Sequence, residues 1–183
     1  MPLNINNMRS QLRFGGARAS LFQVSITNPI NGIADLRLPF LCKASSLPAS
    51  TLGTIEVPYM GRKIKQPGDR TYADWTVTII NDEDFLIRNA MEQWQNAINT
   101  PRGNSATRGS APSNYKSRAQ VFQLDRQGNT LREITIDGLY PTEVSAIDLN
   151  WETTDSIQEF TVTFAYDYHE VTGGNTGNAG GAE

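Results

Sequence analysis

Chemically reactive residues are scarce in this chain. Its 183 residues include one cysteine, Cys42, and one histidine, His169. A single cysteine excludes an intrachain disulfide, and within the apolar, strand-like stretch Pro39-Phe40-Leu41-Cys42 it reads as a small buried core residue. A single histidine leaves a catalytic triad or a histidine-containing metal site without partners at any supporting spacing, so His169 reads as solvated. No apolar run approaches the roughly 18 residues that cross a membrane. Residues 1–20 also lack the apolar stretch of a secretion signal, so no membrane anchoring is expected. No phosphate-binding loop follows a strand, and the glycine pairs sit in polar termini. The acids Asp82, Glu83 and Asp84 could suggest a cation site, but at the start of a helix they serve more simply as cap and dipole partners. No catalytic, cofactor-binding or metal residue can be assigned, and the chain is expected not to be an enzyme.

The length suits one domain, with roughly 70% of the unfolded surface buried on folding. The apolar fraction is 38%, with 15 glycines and 9 prolines, which fits a loop-rich β protein. The net charge of −3 conceals an asymmetry. Residues 1–120 carry 14 Lys/Arg against 8 Asp/Glu, while residues 121–183 carry 2 against 11. Three readings stand open: a basic half that binds nucleic acid, copies that meet head to tail, or halves that intermix and neutralise each other locally.

Residues 1–20 are polar, hold Arg9, Arg13, Arg18 and the pair Gly15-Gly16, and read as an N-terminal arm. Residues 171–183 are glycine-rich, bury too little to offset their ordering entropy, and read as a flexible tail. The β domain is expected over 21–170. Period-two alternation dominates it. Phe160, Val162, Phe164, Tyr166 and Tyr168 share one face of a strand, with Thr161, Thr163, Asp167 and His169 on the other. Leu21–Ile26 begins another strand. Trp75, Val77 and Ile79 mark a third, central one. Gln127-Gly128-Asn129 should join Ala119–Asp125 to Leu131–Asp137 as a hairpin. Val144, Ile147, Leu149 and Trp151 suggest a bulged strand. A helix is expected over about 83–99, capped by Asn81 or Asp82, with Ile87, Met91, Trp94 and Ile98 inward and Glu92, Gln93 and Asn96 outward. Thr100-Pro101 stops it, and an exposed loop follows over about 100–116. The expected fold is mainly β: an antiparallel sandwich or barrel with one flanking α-helix. Trp75, Trp94, Trp151, Phe160 and Phe164 are its expected large core residues.

The run from Arg62 to Asn81 is the densest in information. It reads as a basic strand, a Pro67-Gly68-Asp69 turn, and a second strand carrying Trp75. Arg62, Lys63, Lys65, Asp69, Arg70 and Asp74 are concentrated here without any catalytic arrangement, which points to assembly. Tyr59 and Tyr72 among the cations leave open a basic aromatic patch for nucleic acid, although no nucleic-acid module accompanies it.

The run also resembles the tail tube proteins of T-even-type contractile-tailed phages, and the resemblance extends over about residues 21–168. The matching pieces occur in order: Leu21-Phe22-Gln23-Val24, Cys42-Lys43-Ala44 with Leu47-Pro48-Ala49, Arg62-Lys63-Ile64, Gly68-Asp69-Arg70-Thr71, Asp74-Trp75-Thr76-Val77-Thr78 and Asn81-Asp82-Glu83. Gly138-Leu139 with Pro141-Thr142, Trp151, Ile157-Gln158, Phe160 and Asp167-Tyr168 then follow. The resemblance implies a virion structural protein, assembled in the host cytoplasm. Its hexameric rings would stack into a hollow tube, with strands of each subunit completing a β-barrel in the ring. A tail sheath protein would surround it, baseplate and tail terminator proteins would end it, and tape measure protein and genomic DNA would pass through the lumen. Within this frame Arg62, Lys63, Lys65, Asp69, Arg70 and Asp74 are candidate subunit or ring contacts. Glu133, Asp137 and Asp167 are candidate lumen residues, because an acidic wall would not hold DNA. A baseplate-proximal initiator, the tube of a non-viral contractile injection system, and a nucleic-acid-binding β-barrel remain as alternatives.

Overall fold

The computed structural model describes residues 5–12, 15–107 and 111–179. Parts of the expected arm, loop and tail (residues 1–4, 13–14, 108–110 and 180–183) lie outside the described residues. In chain order the elements are α1 (Ile5–Gln11), β1 (Phe22–Ile26), α2 (Leu38–Leu41), β2 (Cys42–Ser45), β3 (Ser50–Tyr59) and β4 (Arg62–Tyr72). They continue with β5 (Trp75–Ile80), α3 (Leu86–Ile98), β6 (Ser117–Leu124), β7 (Thr130–Val144), β8 (Glu159–Ala165) and β9 (Tyr168–Gly173). Seven strands form one antiparallel sheet, with the path β1-β6-β7-β8-β5-β2 and β9 beside β7. β3 and β4 pair only with each other.

The long strand β7 organises the sheet. Its first half lies between β6 and β9, and its second half pairs with β8. The register runs from Tyr140↔Ala165 to Asp137↔Tyr168 without a shift, so β8 and β9 follow one edge of β7. Between them the chain bends at Gly138, whose φ is +72°. A side chain there would meet the Asp167 carboxylate at 2.1 Å. Inward-facing parity changes at this bend. Ile134 and Ile136 point inward before it, and Leu139 and Pro141 after it. The partner strand changes with it: Phe164 is buried, then Tyr166-Asp167 breaks the alternation and His169, not Tyr168, turns inward. This corrects the single uninterrupted face expected from Phe160 to Tyr168. Tyr168 is exposed, and the His169 ring lies against Tyr72 and Tyr166.

Both halves of the bent sheet contribute to one core. Val24, Ile26, Val121, Ile134 and Ile136 come from one half, and Trp75, Val77, Ile79, Phe160, Val162 and Phe164 from the other. α3 adds Ile87, Ala90, Met91 and Trp94 along one helical stripe. Trp94 packs near Phe164 with ring centroids 6.3 Å apart, and its Nε1 donates to the Tyr115 carbonyl at 2.7 Å. Truncating such an aromatic to alanine typically costs about 3–5 kcal/mol.

The helix begins three residues later than the acids suggest. Phe85 adopts a left-handed conformation, φ 50°, and Leu86 starts the helix. Asp84 accepts from the Leu86 amide at 3.0 Å, and that bond, together with Arg37, lowers its pKa. Asn81 does not cap; it bonds Gln158 instead. Pro39-Phe40-Leu41 turns as the short α2, because Pro39 suits a first helical turn. The strand starts only at Cys42, which is half-buried and packs against the core rather than within it.

Trp151 is not a core residue of the single chain: it is 100% exposed. β7 ends at Val144, and Ser145 caps its pairing by exchanging bonds with Thr161. Asn150 then accepts from the Glu152 amide through its side chain and from the Thr153 amide through its carbonyl. These local bonds compete with a strand ladder and place Trp151 in a turn. The tail also begins later than its composition suggests. Gly173 still pairs with Glu133, and the Asn175 and Thr176 amides donate to Thr130 and Leu131.

Replacing Gly138 by alanine should lower stability by about 1–3 kcal/mol, since the site needs a positive φ and lies against Asp167. The urea midpoint of unfolding measures this. An unchanged midpoint would contradict the role given to the bend.

Candidate functional site: an assembly surface

The Arg62–Asn81 run folds differently from its expected pattern. Pro67-Gly68-Asp69 is not the turn but an irregularity inside β4. The reversal lies at Met60-Gly61, with φ values of 43° and 80°. Positive φ at both central residues is what a two-residue hairpin turn of the right twist requires. Opposite Pro67-Gly68 the register slips between Leu52 and Thr54. Gly53 and Gly68 make this possible, because a Cβ on Gly68 would lie 3.2 Å from the Gly53 backbone.

The β3–β4 hairpin has two unlike faces. Directly opposed residues share a face, so Ile55, Val57, Tyr59 and Ile64 line one side together with Gln66 and Arg62. Glu56, Lys63 and Lys65 line the other, and Lys63 Nζ sits 2.6 Å from Glu56. No residue of β3 is buried, and Ile55, Ile64 and Tyr59 are 54%, 55% and 63% exposed. An isolated two-stranded hairpin is marginal in water. An apolar face beside open strand edges is unusual on a protein that stays a single chain. The base of the hairpin is held by Tyr72, whose ring lies 5.8 Å from Tyr166 and 5.3 Å from His169.

The structure groups only some of the contact candidates. Arg62, Lys63 and Lys65 lie toward the hairpin tip. Arg70 sits opposite Leu52 near the base, and Asp74 follows β4 beside Tyr166. Lys63 pairs with Glu56 across the hairpin. Arg70 acts on His169 instead: burial first, then Arg70 and Arg132, lowers the histidine pKa below 6.5. His169 Nδ1 is buried without a hydrogen-bond partner. The change of strand parity that buries this ring gives no local signal in the sequence.

The lumen candidates gather on the outer, polar side of β7 and its neighbours. Glu133 accepts from Gln120 Nε2 at 3.0 Å. Asp137 pairs with Arg118 Nε at 2.6 Å, and Asp167 holds Lys116 Nζ with both oxygens at 2.7 Å. Each pair raises the pKa of its cation, chiefly through the hydrogen bond. Lys116 and Arg118 were not foreseen as partners, since they lie on a different strand or its approach. The opposition of Arg118 to Asp137 emerges only from the β6–β7 register.

Catalytic options are few. Burial raises the Cys42 thiol to about 11, so it is protonated at neutral pH. Among the described residues no group of three His, Cys, Asp or Glu could hold a metal ion. Among them, too, no helix is long and apolar enough to cross a membrane.

A family model described as "Phage tail tube protein" matches residues 11–172. The tail tube proteins gp19 of Enterobacteria phages T6 and T4 are each 43% identical over 155 residues, covering 84% of this chain and 91% of theirs. The solved tube-terminating cap of the anti-feeding prophage superposes with a TM-score of 0.64 at 18% identity, over 86% of this chain and 91% of that one. That last likeness shows a common antiparallel β fold. By the extent of the family match and the identity to the two gp19 proteins, the chain belongs to the phage tail tube protein family.

Proposed function

We propose that this chain is the structural subunit of the inner tube of a contractile phage tail and a component of the virion. The observation that carries this reading is the β3–β4 hairpin: exposed on every residue of β3 and apolar on one side in a chain of the tail tube family. The main sheet ends at β1 and β2, which have a strand partner on one side only among the described residues. Closing six copies into a ring would pair such edges and complete a barrel around a channel. Stacking of rings is a head-to-tail contact that does not close, so it extends as a filament. A tail sheath protein would surround the tube, and baseplate and terminator proteins would bound it. Tape measure protein and genomic DNA would occupy the lumen without specific binding. The chain acts by assembly and performs no catalysis. A tube of a non-viral contractile injection system would use the same fold, but the 43% identity to phage proteins favours the virion.

The face carrying Glu133, Asp137, Gln120 and Thr135 is our candidate for the channel wall. Asp137 and Asp167 neutralise Arg118 and Lys116 there, so the wall presents few free cations to phosphate. Each lysine placed on it would recruit phosphate with counterion release. Converting Glu133 to lysine, which keeps the Asp137–Arg118 and Asp167–Lys116 pairs, should therefore leave tubes intact and slow DNA ejection, read by single-particle ejection kinetics. Unchanged kinetics would contradict this assignment.

Assembly itself is tested by negative-stain microscopy of the purified protein, which should show hollow rings or tubes. A persistent monomer, even with the tail-initiating complex added, would contradict the proposal. Asp69→Lys and Arg70→Glu, made singly, should each reduce tube yield. If neither does, these two residues are not in the contact.

A further inference from the structure

A second exposed surface lies at the other end of the molecule. The loop 145–158 contains Leu149, Trp151 and Ile157, which are 80%, 100% and 70% exposed. Around them stand Asp148, Glu152 and Asp155, and the loop holds no lysine or arginine. One loop thus carries a fully exposed indole, two exposed aliphatic side chains and three carboxylates. Such a composition marks a contact core rather than a solvated connection.

Its place in the fold matters. The hairpin base at Tyr72 joins the start of β5, where Trp75 pairs with Phe164. The loop base lies at the far end of the same strand, where Ile80 pairs with Glu159 and the Asn81 amide donates to Gln158. Six residues of strand separate the two bases by roughly 17 Å. Trp151 is fully exposed and no residue of β3 is buried, so the two surfaces do not cover each other within one chain.

We propose that the acidic Trp151 loop of one copy is the receptor for the apolar, basic hairpin of a second copy. The proposal deepens the tube reading and rests on it. The chemistry of the two surfaces is complementary. Val57 and Ile64 offer an aliphatic face to Trp151 and Leu149, and Arg62 on that face can stack on the indole. Arg62, the cation on that same face, stands opposite in sign to Asp148 and Glu152, whereas Lys63 and Lys65 lie on the reverse face. Because the surfaces differ and sit at opposite ends of β5, each copy can give a hairpin to one neighbour and accept one from another. The charge asymmetry along the sequence then has a structural use.

Tryptophan emission tests this directly. Trp75 and Trp94 are buried, 1% and 0% exposed, so Trp151 is the quencher-accessible indole among the three. Acrylamide should quench it readily in dispersed subunits and severalfold less in tubes, with Trp151→Phe supplying the background. If wild-type protein forms no tubes, the tube reading fails and this proposal with it. If tubes form and Trp151 stays quenchable, or becomes protected only when sheath protein is added, this proposal alone fails. The charge arm pairs two variants, Asp148→Lys/Glu152→Lys and Arg62→Glu. Each alone should lose tube formation at least tenfold, and an equimolar mixture should regain it, since each hairpin then meets a loop of opposite sign. No loss in either variant, or no recovery on mixing, would overturn the pairing.

Discussion

At Gly138 the backbone turns through a left-handed conformation, and the alternation of β7 advances by one residue. The rest of the subunit depends on that local event. Without it the longest strand would present Ile134 and Ile136 to one side and Leu139 to the other, and no single core could collect all three. With it the strand bends, its partners β8 and β9 bend alongside, and both halves of the sheet contribute to one interior. The same bend turns the His169 ring inward beneath Tyr72, so the corner of the sheet also anchors the projecting hairpin. Asp167 fills the space a side chain at 138 would need and holds Lys116 across the corner.

A core built this way leaves much apolar surface outside. Natural proteins usually blunt strand edges and keep apolar residues off hairpins. This chain instead exposes Ile55, Val57, Tyr59 and Ile64 on a hairpin, and Leu149, Trp151 and Ile157 on a loop at the opposite end. A tube subunit explains that composition, because surfaces exposed in the single chain become interior in the assembly. Electrostatics then sets direction: a basic projection and an acidic receptor on one molecule favour head-to-tail contact and disfavour like against like.

Much of the fold was legible from alternation alone. Trp75-Val77-Ile79 and Phe160-Val162-Phe164 pair across β5 and β8, and the Gln127–Asn129 turn joins β6 to β7. The helix was legible through Ile87, Met91 and Trp94. Its start was not, because Phe85 takes a left-handed conformation that no local residue preference signals. Trp151 misled for a different reason. Its apolar neighbours Ile147 and Leu149 fit a strand, but burial is a property of partners, and a residue destined for an interface looks like a core residue in sequence. Similarly, Pro67-Gly68-Asp69 has the composition of a turn, yet Met60-Gly61 meets the twist a hairpin needs. The close approach of Gly53 to Gly68 absorbs the irregularity. Of the candidate site, the cation-rich strand was visible in sequence, whereas the pairings of Asp137 with Arg118 and Asp167 with Lys116 depend on register.

The central claim is that the hairpin is incomplete until a neighbouring copy covers it. Hydrogen exchange of the backbone amides of residues 50–72, compared between dispersed subunits and assembled tubes, measures this most directly. The account predicts fast exchange in the dispersed subunit, as for a two-stranded hairpin open to water, and strong slowing in the tube. Equal exchange in the two states would contradict it.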